Sequence, residues 1–204
     1  ARGELAVSAP DAAGKCRGVA GNALEFLADG ASLTVPAEGN VPQSCGTMEF
    51  YWRWETGKGV TYEVPLYLET PALRMDERPM LEFERCGLRW NAGPGDAMRP
   101  LWEYFCLFGQ WHHFAITWDT FDTGDTLFEL FLNGEFCDRA VKRLKGAPPF
   151  GRSITLAARK GGMFDEFRIS RVVRSAREIA AAARLTGFHR LEWPYDEIEY
   201  DTGR

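Results

Sequence analysis

The chain has 204 residues, 45% of them hydrophobic and 26% charged, proportions that supply an ordinary packed core and exclude disorder. A net charge of -5 removes the overall basic footprint of a nucleic-acid binder, and no apolar run approaches the roughly 18 residues a membrane-spanning helix needs. The length suits one all-β domain over residues 1–204.

The chain opens on Ala1 rather than Met and carries nothing resembling a signal peptide near its start. That fits a processed product or a domain of something longer. The 21 glycines and 11 prolines are scattered between short apolar stretches, the punctuation of many strands joined by turns.

In chain order, Ala31 to Val35 reads as a strand. The next is more informative, because Met48, Phe50, Trp52 and Trp54 fall on one face while Glu49, Tyr51, Arg53 and Glu55 fall on the other. Period two predicts one dry face and one that is wet or ligand-facing. Thr61 to Leu68, Met80 to Trp90 and Leu101 to Leu107 follow as further strands. Within the second of these, Glu82 and Glu84 share a face opposite Leu81 and Phe83, roughly 6.5 to 7 Å apart along the strand. That spacing is compatible with a glycosidase acid and base pair, or with carboxylates paired to neighbouring arginines.

Trp111 to Asp119 alternates again, placing Phe114, Ile116 and Trp118 inward. His112 and His113 therefore point to opposite faces and cannot grip one ion. Leu130 and Leu132 point inward on the next strand, which runs into Asn133-Gly134, the strongest short hairpin signal because both turn residues accept positive φ. The basic run Arg139, Lys142, Arg143 and Lys145 reads as a solvated loop after that hairpin, or as a phosphate or acidic-glycan contact.

Ile154 to Ala158 and Phe164 to Ser170 are the last strands. Phe167 and Ile169 share the parity of Asp165, which predicts a carboxylate entering the core side, where it needs a cation or several hydrogen-bond donors. The one convincing helix lies late: Ser175-Ala176-Arg177-Glu178 is a capping box, Ala180 to Ala183 favour helix, and Gly187 stands where a cap would. It reads as a short appendage to the β fold. Leu191 to Arg204 is acidic and aromatic, a final strand or docked tail.

Many strands and one helix mean a sandwich or a barrel. The alternation names Phe50, Trp52, Phe114, Ile116, Trp118, Leu130, Leu132, Leu156, Phe167 and Ile169 as core. Cys16, Cys45, Cys86, Cys106 and Cys137 are an odd set without zinc spacing. A Cys86–Cys106 disulfide across neighbouring strands and buried free thiols are both open. No Ser-His-Asp elbow, phosphate-binding glycine loop or His-Glu-x-x-His motif occurs.

Gly109-Gln110-Trp111-His112-His113-Phe114-Ala115-Ile116-Thr117-Trp118-Asp119, Leu130 to Gly134, Phe164 to Ser170 and Ser175 to Ile179, in that order, resemble the signature of laminin-G-like jelly-roll domains of the concanavalin A-like lectin and glucanase superfamily. Leu24 to Gly30, Leu33 to Pro36 and Gly46 to Phe50 are similar to its opening strands. The resemblance covers residues 20–186, and the middle, from Thr56 to Phe108, matches only in strand rhythm.

The resemblance implies a two-sheet antiparallel jelly-roll sandwich with one short C-terminal helix, carried as an extracellular or cell-surface module. Members bind glycans, bind proteins or act as glycosidases. Catalytic members commonly carry a Glu-x-Asp-x-Glu strand, whose third acidic position is Cys86 here. The expectation is accordingly a non-catalytic, carbohydrate-binding module. A protein-interaction domain is its first alternative, and a hydrolase or lyase using Glu82 and Glu84 its second. Ligand contacts are expected from Tyr51, Arg53, Tyr67, Trp90 and Trp102, since aromatic rings with a polar edge suit sugar faces and protein interfaces. The family often places a structural Ca2+ near the residue matching Asp165, completed from the turn matching Asp29-Gly30, so Asp165, Asp29 and Gly30 are the metal candidates. A hydrogen-bonded aspartate anchoring the N-terminal segment is the other reading.

Overall fold

A computed structural model gives the fold over residues 6–8, 13–28, 31–54, 70–75, 78–84, 87–91, 99–105, 109–144, 149–157 and 160–184, the described residues. Fourteen strands are described: β1 (Ala6–Ser8), β2 (Ala13–Arg17), β3 (Asn22–Phe26), β4 (Ser32–Pro36), β5 (Cys45–Trp54), β6 (Thr70–Met75), β7 (Arg78–Glu84), β8 (Gly87–Trp90), β9 (Arg99–Phe105), β10 (His112–Thr120), β11 (Asp125–Leu132), β12 (Glu135–Arg143), β13 (Ser153–Ala157) and β14 (Gly162–Ser170). One helix, α1 (Ala176–Arg184), follows them. The strands form two seven-stranded antiparallel sheets, ordered β1-β4-β13-β6-β7-β8-β9 and β12-β11-β10-β5-β14-β3-β2. No described helix is long and apolar enough to cross a membrane.

The alternating residues meet between the sheets. Phe50, Trp52, Phe114, Ile116, Trp118, Leu130, Leu132 and Leu156 are buried in one core cluster, against which Phe167 and Ile169 pack while partly exposed. Phe50 stacks on Phe114 with centroids 5.4 Å apart, and Trp118 meets Phe150 edge-on at 4.7 Å. Each such side chain contributes about 1.5–3 kcal/mol by leaving water. Trp118 lies so close to β5 that its register partner can only be Gly46, since a Cβ there would strike the indole ring and the Ser170 carbonyl.

Two expectations need correction. The apolar run Met80 to Trp90 is not one strand: β7 and β8 pair with each other, Leu81 opposite Trp90 and Glu84 opposite Gly87. The basic run is not a loop after the hairpin, because Arg139, Lys142 and Arg143 belong to β12, its second strand. A bulge near Phe131 sets its parity, so Arg139 and Arg143 stand opposite Glu129 and Asp125 on the outer face, where Arg143 bridges to Asp125, while Lys142 stands opposite buried Thr126. β12 is an edge strand, and charges along an edge discourage pairing with other chains. The hairpin itself is as expected, with φ of 52° at Asn133 and 85° at Gly134.

Thr61 to Leu68, Cys86, Cys106, Lys145, Gly187 and Leu191 to Arg204 lie outside the described residues. Cys16, Cys45 and Cys137 are free thiols.

Candidate functional site

The outer face of β5, expected to be wet or ligand-facing, is covered. After β14 the chain crosses back over this face as residues 171–175 and then α1, and β5 holds it at three successive outward positions. Thr47 Oγ1 donates to the Val172 carbonyl at 2.7 Å and accepts from the Arg174 N–H at 2.8 Å. Glu49 binds the Arg174 guanidinium. Tyr51 Oη donates to the Ala182 carbonyl at 2.8 Å. The Ser175 capping box starts α1 as predicted, with Glu178 Oε2 accepting from the Ser175 N–H at 2.8 Å and its hydroxyl at 2.7 Å. The helix is amphipathic and buries Ile179 against Ala115 and Phe131. Gly134 allows the hairpin to approach this helix, because a Cβ there would lie 2.8 Å from Ala180 Cα.

Glu49 is the electrostatic centre of the face. Its carboxylate is 1% exposed and takes two hydrogen bonds from Arg168, each 3.0 Å, besides that from Arg174. His113 Nε2 lies 3.4 Å from Oε1. Burial alone would push this carboxyl up, but the hydrogen bonds from His113, Arg168 and Arg174 outweigh it and hold the pKa at about 2. Such a group stays ionised and fully engaged. It fastens the covering segment and is unsuited to exchanging protons with a substrate.

Beside this fastening lies an open groove of about 390 Å³ between the β11–β12 hairpin and the start of α1. Phe131 and Phe136 meet edge-on in it at 5.8 Å, Phe136 is 42% exposed, and the Arg139 guanidinium sits 5.5 Å from the Phe136 ring centre. Glu129, Arg174, Ser175 and Glu178 complete its polar lining.

Of the residues expected to bind ligand, Tyr51 and Trp90 lie on different sides of the sheets. Tyr51 is buried beneath α1 on the outer face of one sheet. Trp90 is fully buried between the sheets, its indole N–H donating to Asp138 Oδ2 at 2.7 Å, so neither ring offers a face to solvent. Arg53 is half-buried on β5, Trp102 occupies a β9 position, and Tyr67 lies outside the described residues. Glu82 stands directly across from Arg89 on β8 in the strand ladder. His112 and His113 do face apart, opposite Trp52 and Tyr51 respectively.

Asp165 is buried, but not on the predicted side. A bulge between Asp165 and Arg168, with Glu166 at φ 49°, changes the parity of β14. Asp165 consequently pairs with Tyr51 on the outer face, while Phe164 and Ile169 point inward on either side of the bulge. Its Oδ2 accepts the Ala20 N–H at 3.0 Å and its Oδ1 the Glu166 N–H at 2.8 Å. Gly18 packs directly on the carboxylate, with no room for a Cβ. This fits an anchor for the β2–β3 turn. A Ca2+ shell takes six to eight oxygens. The described residues include no group of three or more metal-binding side chains, and Asp29 and Gly30 lie outside them.

Sequence reasoning missed Glu49, Arg168, Arg174 and Phe136. The arginines lie more than 115 positions from Glu49, and only the knowledge that the chain returns over β5 would have joined them.

Residues 105–180 match the family model described as the concanavalin A-like lectin/glucanases superfamily, as the sequence resemblance implied. No curated protein matches the chain. Among solved structures, the chain is similar to the botulinum neurotoxin serotype D ligand-binding domain in complex with N-acetylneuraminic acid, at 14% identity and TM-score 0.63, with 88% of this chain and 46% of that one covered. It is also similar to the binding domain of Paraclostridial Mosquitocidal Protein 1, at 14% identity and TM-score 0.61, with 88% and 47% covered. A structure of botulinum neurotoxin type C, whose cell entry depends on interaction with two ganglioside molecules, matches at 11% identity and TM-score 0.62, with 91% and 47% covered. The chain thus spans less than half the length of these structures. At such identities the likeness establishes the jelly-roll fold.

Proposed function

We propose, from its concanavalin A-like jelly roll, that this chain is a non-catalytic carbohydrate-recognition module of a larger extracellular or cell-surface protein. The observation that carries the reading is the fold likeness over 88% of the chain to a ligand-binding domain in complex with a sugar acid. The site chemistry supports it: the two buried carboxylates described on the outer face, Glu49 and Asp165, are both committed to hydrogen bonds within the chain, which suits holding a surface in shape rather than acid–base turnover. A glycan array together with pull-down on insoluble polysaccharides tests the proposal. Dose-dependent binding of any glycan supports it. A blank result, with the folded protein capturing an extracellular protein instead, replaces it with the interaction-domain reading. Release of reducing sugar that disappears in Glu82→Gln and Glu84→Gln replaces it with a hydrolase.

The same reading keeps one structural Ca2+ as its proposed cofactor, held by Asp165 with oxygens of the Asp29-Gly30 turn. A melting temperature raised by millimolar calcium, and no longer raised in Asp165→Ala, supports that site. Identical melting of metal-free protein with calcium and with chelator leaves Asp165 as a backbone anchor.

A further inference from the structure

The Asn133-Gly134 turn carries a chemistry that its role as a hairpin does not use. Of the four asparagines, Asn22, Asn40, Asn91 and Asn133, only Asn133 precedes a glycine. Glycine lacks the Cβ that would shield its backbone nitrogen, so this is the peptide whose nitrogen reaches an asparagine Cγ most readily. Both residues are half-buried, and both are held. Asn133 Oδ1 accepts the His113 N–H at 2.9 Å, which fixes the orientation of the amide and makes Nδ2 the donor to His112 Nδ1 at 3.2 Å. The Asn133 N–H donates to the His113 carbonyl at 2.7 Å. Gly134 is pressed against α1 so closely that a Cβ would lie 2.8 Å from Ala180 Cα.

We propose that Asn133 is a latent modification site, a deamidation centre kept intact by its bonds to β10 and by the seating of α1 on Gly134. In the reaction the Gly134 nitrogen gives up its proton to hydroxide and attacks Asn133 Cγ. The new C–N bond forms as the Cγ–Nδ2 bond breaks, and the leaving nitrogen takes a proton from water and departs as ammonia. Water then opens the succinimide ring at either carbonyl, giving aspartate or isoaspartate. Ring closure turns the Asn133 side chain and the following peptide against each other, which requires both side-chain bonds to break and Gly134 to move past α1. The rate therefore follows a local opening of the turn and helix rather than the intrinsic reactivity of the peptide. Conversion runs one way. Aspartate puts a carboxylate oxygen where Nδ2 donates to His112, and isoaspartate adds a methylene to the backbone of a two-residue turn, so the reaction unfastens the hairpin from the helix that guarded it.

The experiment incubates the full chain at mildly alkaline pH, folded and in urea, and follows the peptide holding residue 133 by mass spectrometry. Two variants that loosen α1 run alongside. Ser175→Ala removes the exposed hydroxyl that caps the helix, and Ile179→Ala removes the side chain packed on Ala115 and Phe131. Circular dichroism verifies that each is folded. The expected result is conversion at least about tenfold slower in the folded chain than in urea, the effect of an opening that costs about 1.4 kcal/mol or more. Conversion in Ser175→Ala should be about fivefold faster than in wild type, the factor that a lost cap represents, and Ile179→Ala should also exceed wild type. Deamidated protein, separated by anion exchange, should show quickened amide exchange over residues 176–184. Conversion as fast in the folded chain as in urea overturns the proposal. Rates equal to wild type in both variants overturn it as well, as does wild-type amide exchange of α1 in the deamidated protein.

Discussion

Strand β5 is buried on both faces, and different physics buries each. Inward, Phe50 and Trp52 are 0% and 1% exposed among aromatic and aliphatic neighbours. Outward, Thr47, Glu49 and Tyr51 are 0%, 1% and 6% exposed, yet each is held by a directed hydrogen bond to one returning segment. The inner face is interchangeable apolar area, and the outer face is a set of specific partners. Alternation in a sequence tells which side chains part company across a strand. It does not tell whether the second face meets water.

If that contrast is right, the inner face should cost most to break. Phe114→Ala removes a fully buried ring stacked on Phe50 and should lower unfolding free energy by about 3–5 kcal/mol, measured by guanidinium denaturation. A loss below about 1 kcal/mol would mean the two sheets do not close on this ring.

Glu49→Ala should come next, at about 2–4 kcal/mol. It leaves His113 without its carboxylate and Arg174 with only the Glu178 carbonyl, while Arg168, 45% exposed, can recover part of its loss from water. The pH dependence has a definite sign. Unfolded Glu49 takes up its proton near 4.5 and folded Glu49 near about 2, so the unfolded state binds more protons between those values. The contribution is complete above pH 4.5 and lost as pH falls toward 2. Acid unfolding of Glu49→Gln should be shallower than wild type across this window, and superimposable curves would remove Glu49 as the fastening charge.

These two experiments also mark where the sequence was legible. The inner set, the Asn133-Gly134 hairpin and the Ser175 capping box were readable because each is encoded within a few residues. Glu49 was readable only as an outward carboxylate, since its partners arrive from β14 and the segment after it. Asp165 was assigned the wrong face because its parity was counted straight through a bulge, and a glutamate at positive φ leaves no residue signature comparable to Asn-Gly. Tyr51 and Trp90 were chosen for their rings, but both engage their polar edges inside the chain, a choice that composition cannot reveal.

Asp165→Ala should cost less than the Glu49 change, about 1–3 kcal/mol, as the Ala20 and Glu166 N–H groups lose their acceptor. Its effect should concentrate in hydrogen exchange of residues 18–24. Protection there equal to wild type would show that the β2–β3 turn holds without the carboxylate.

The smallest change addresses the contrast most directly. Tyr51→Phe keeps the ring against His113, whose centroid is 4.8 Å away, and deletes only the hydroxyl that donates to Ala182. Were the outer face held by apolar area alone, this substitution would be nearly silent. Held by directed bonds, it should cost about 1 kcal/mol, the net worth of one hydrogen bond together with a carbonyl left without its donor. Position in the chain is the sharper readout. Ala182 lies in the last turn of α1, where intrahelical carbonyl acceptors already lack partners, so loosening should begin at that end. Amide exchange should quicken over residues 180–184 while β10 and β11 keep wild-type protection. Exchange that quickens equally across the core would mean that Tyr51 supports the sandwich as a whole. Exchange unchanged in α1 would mean that Ile179 and the Glu49 bridge hold the helix without help from the phenol.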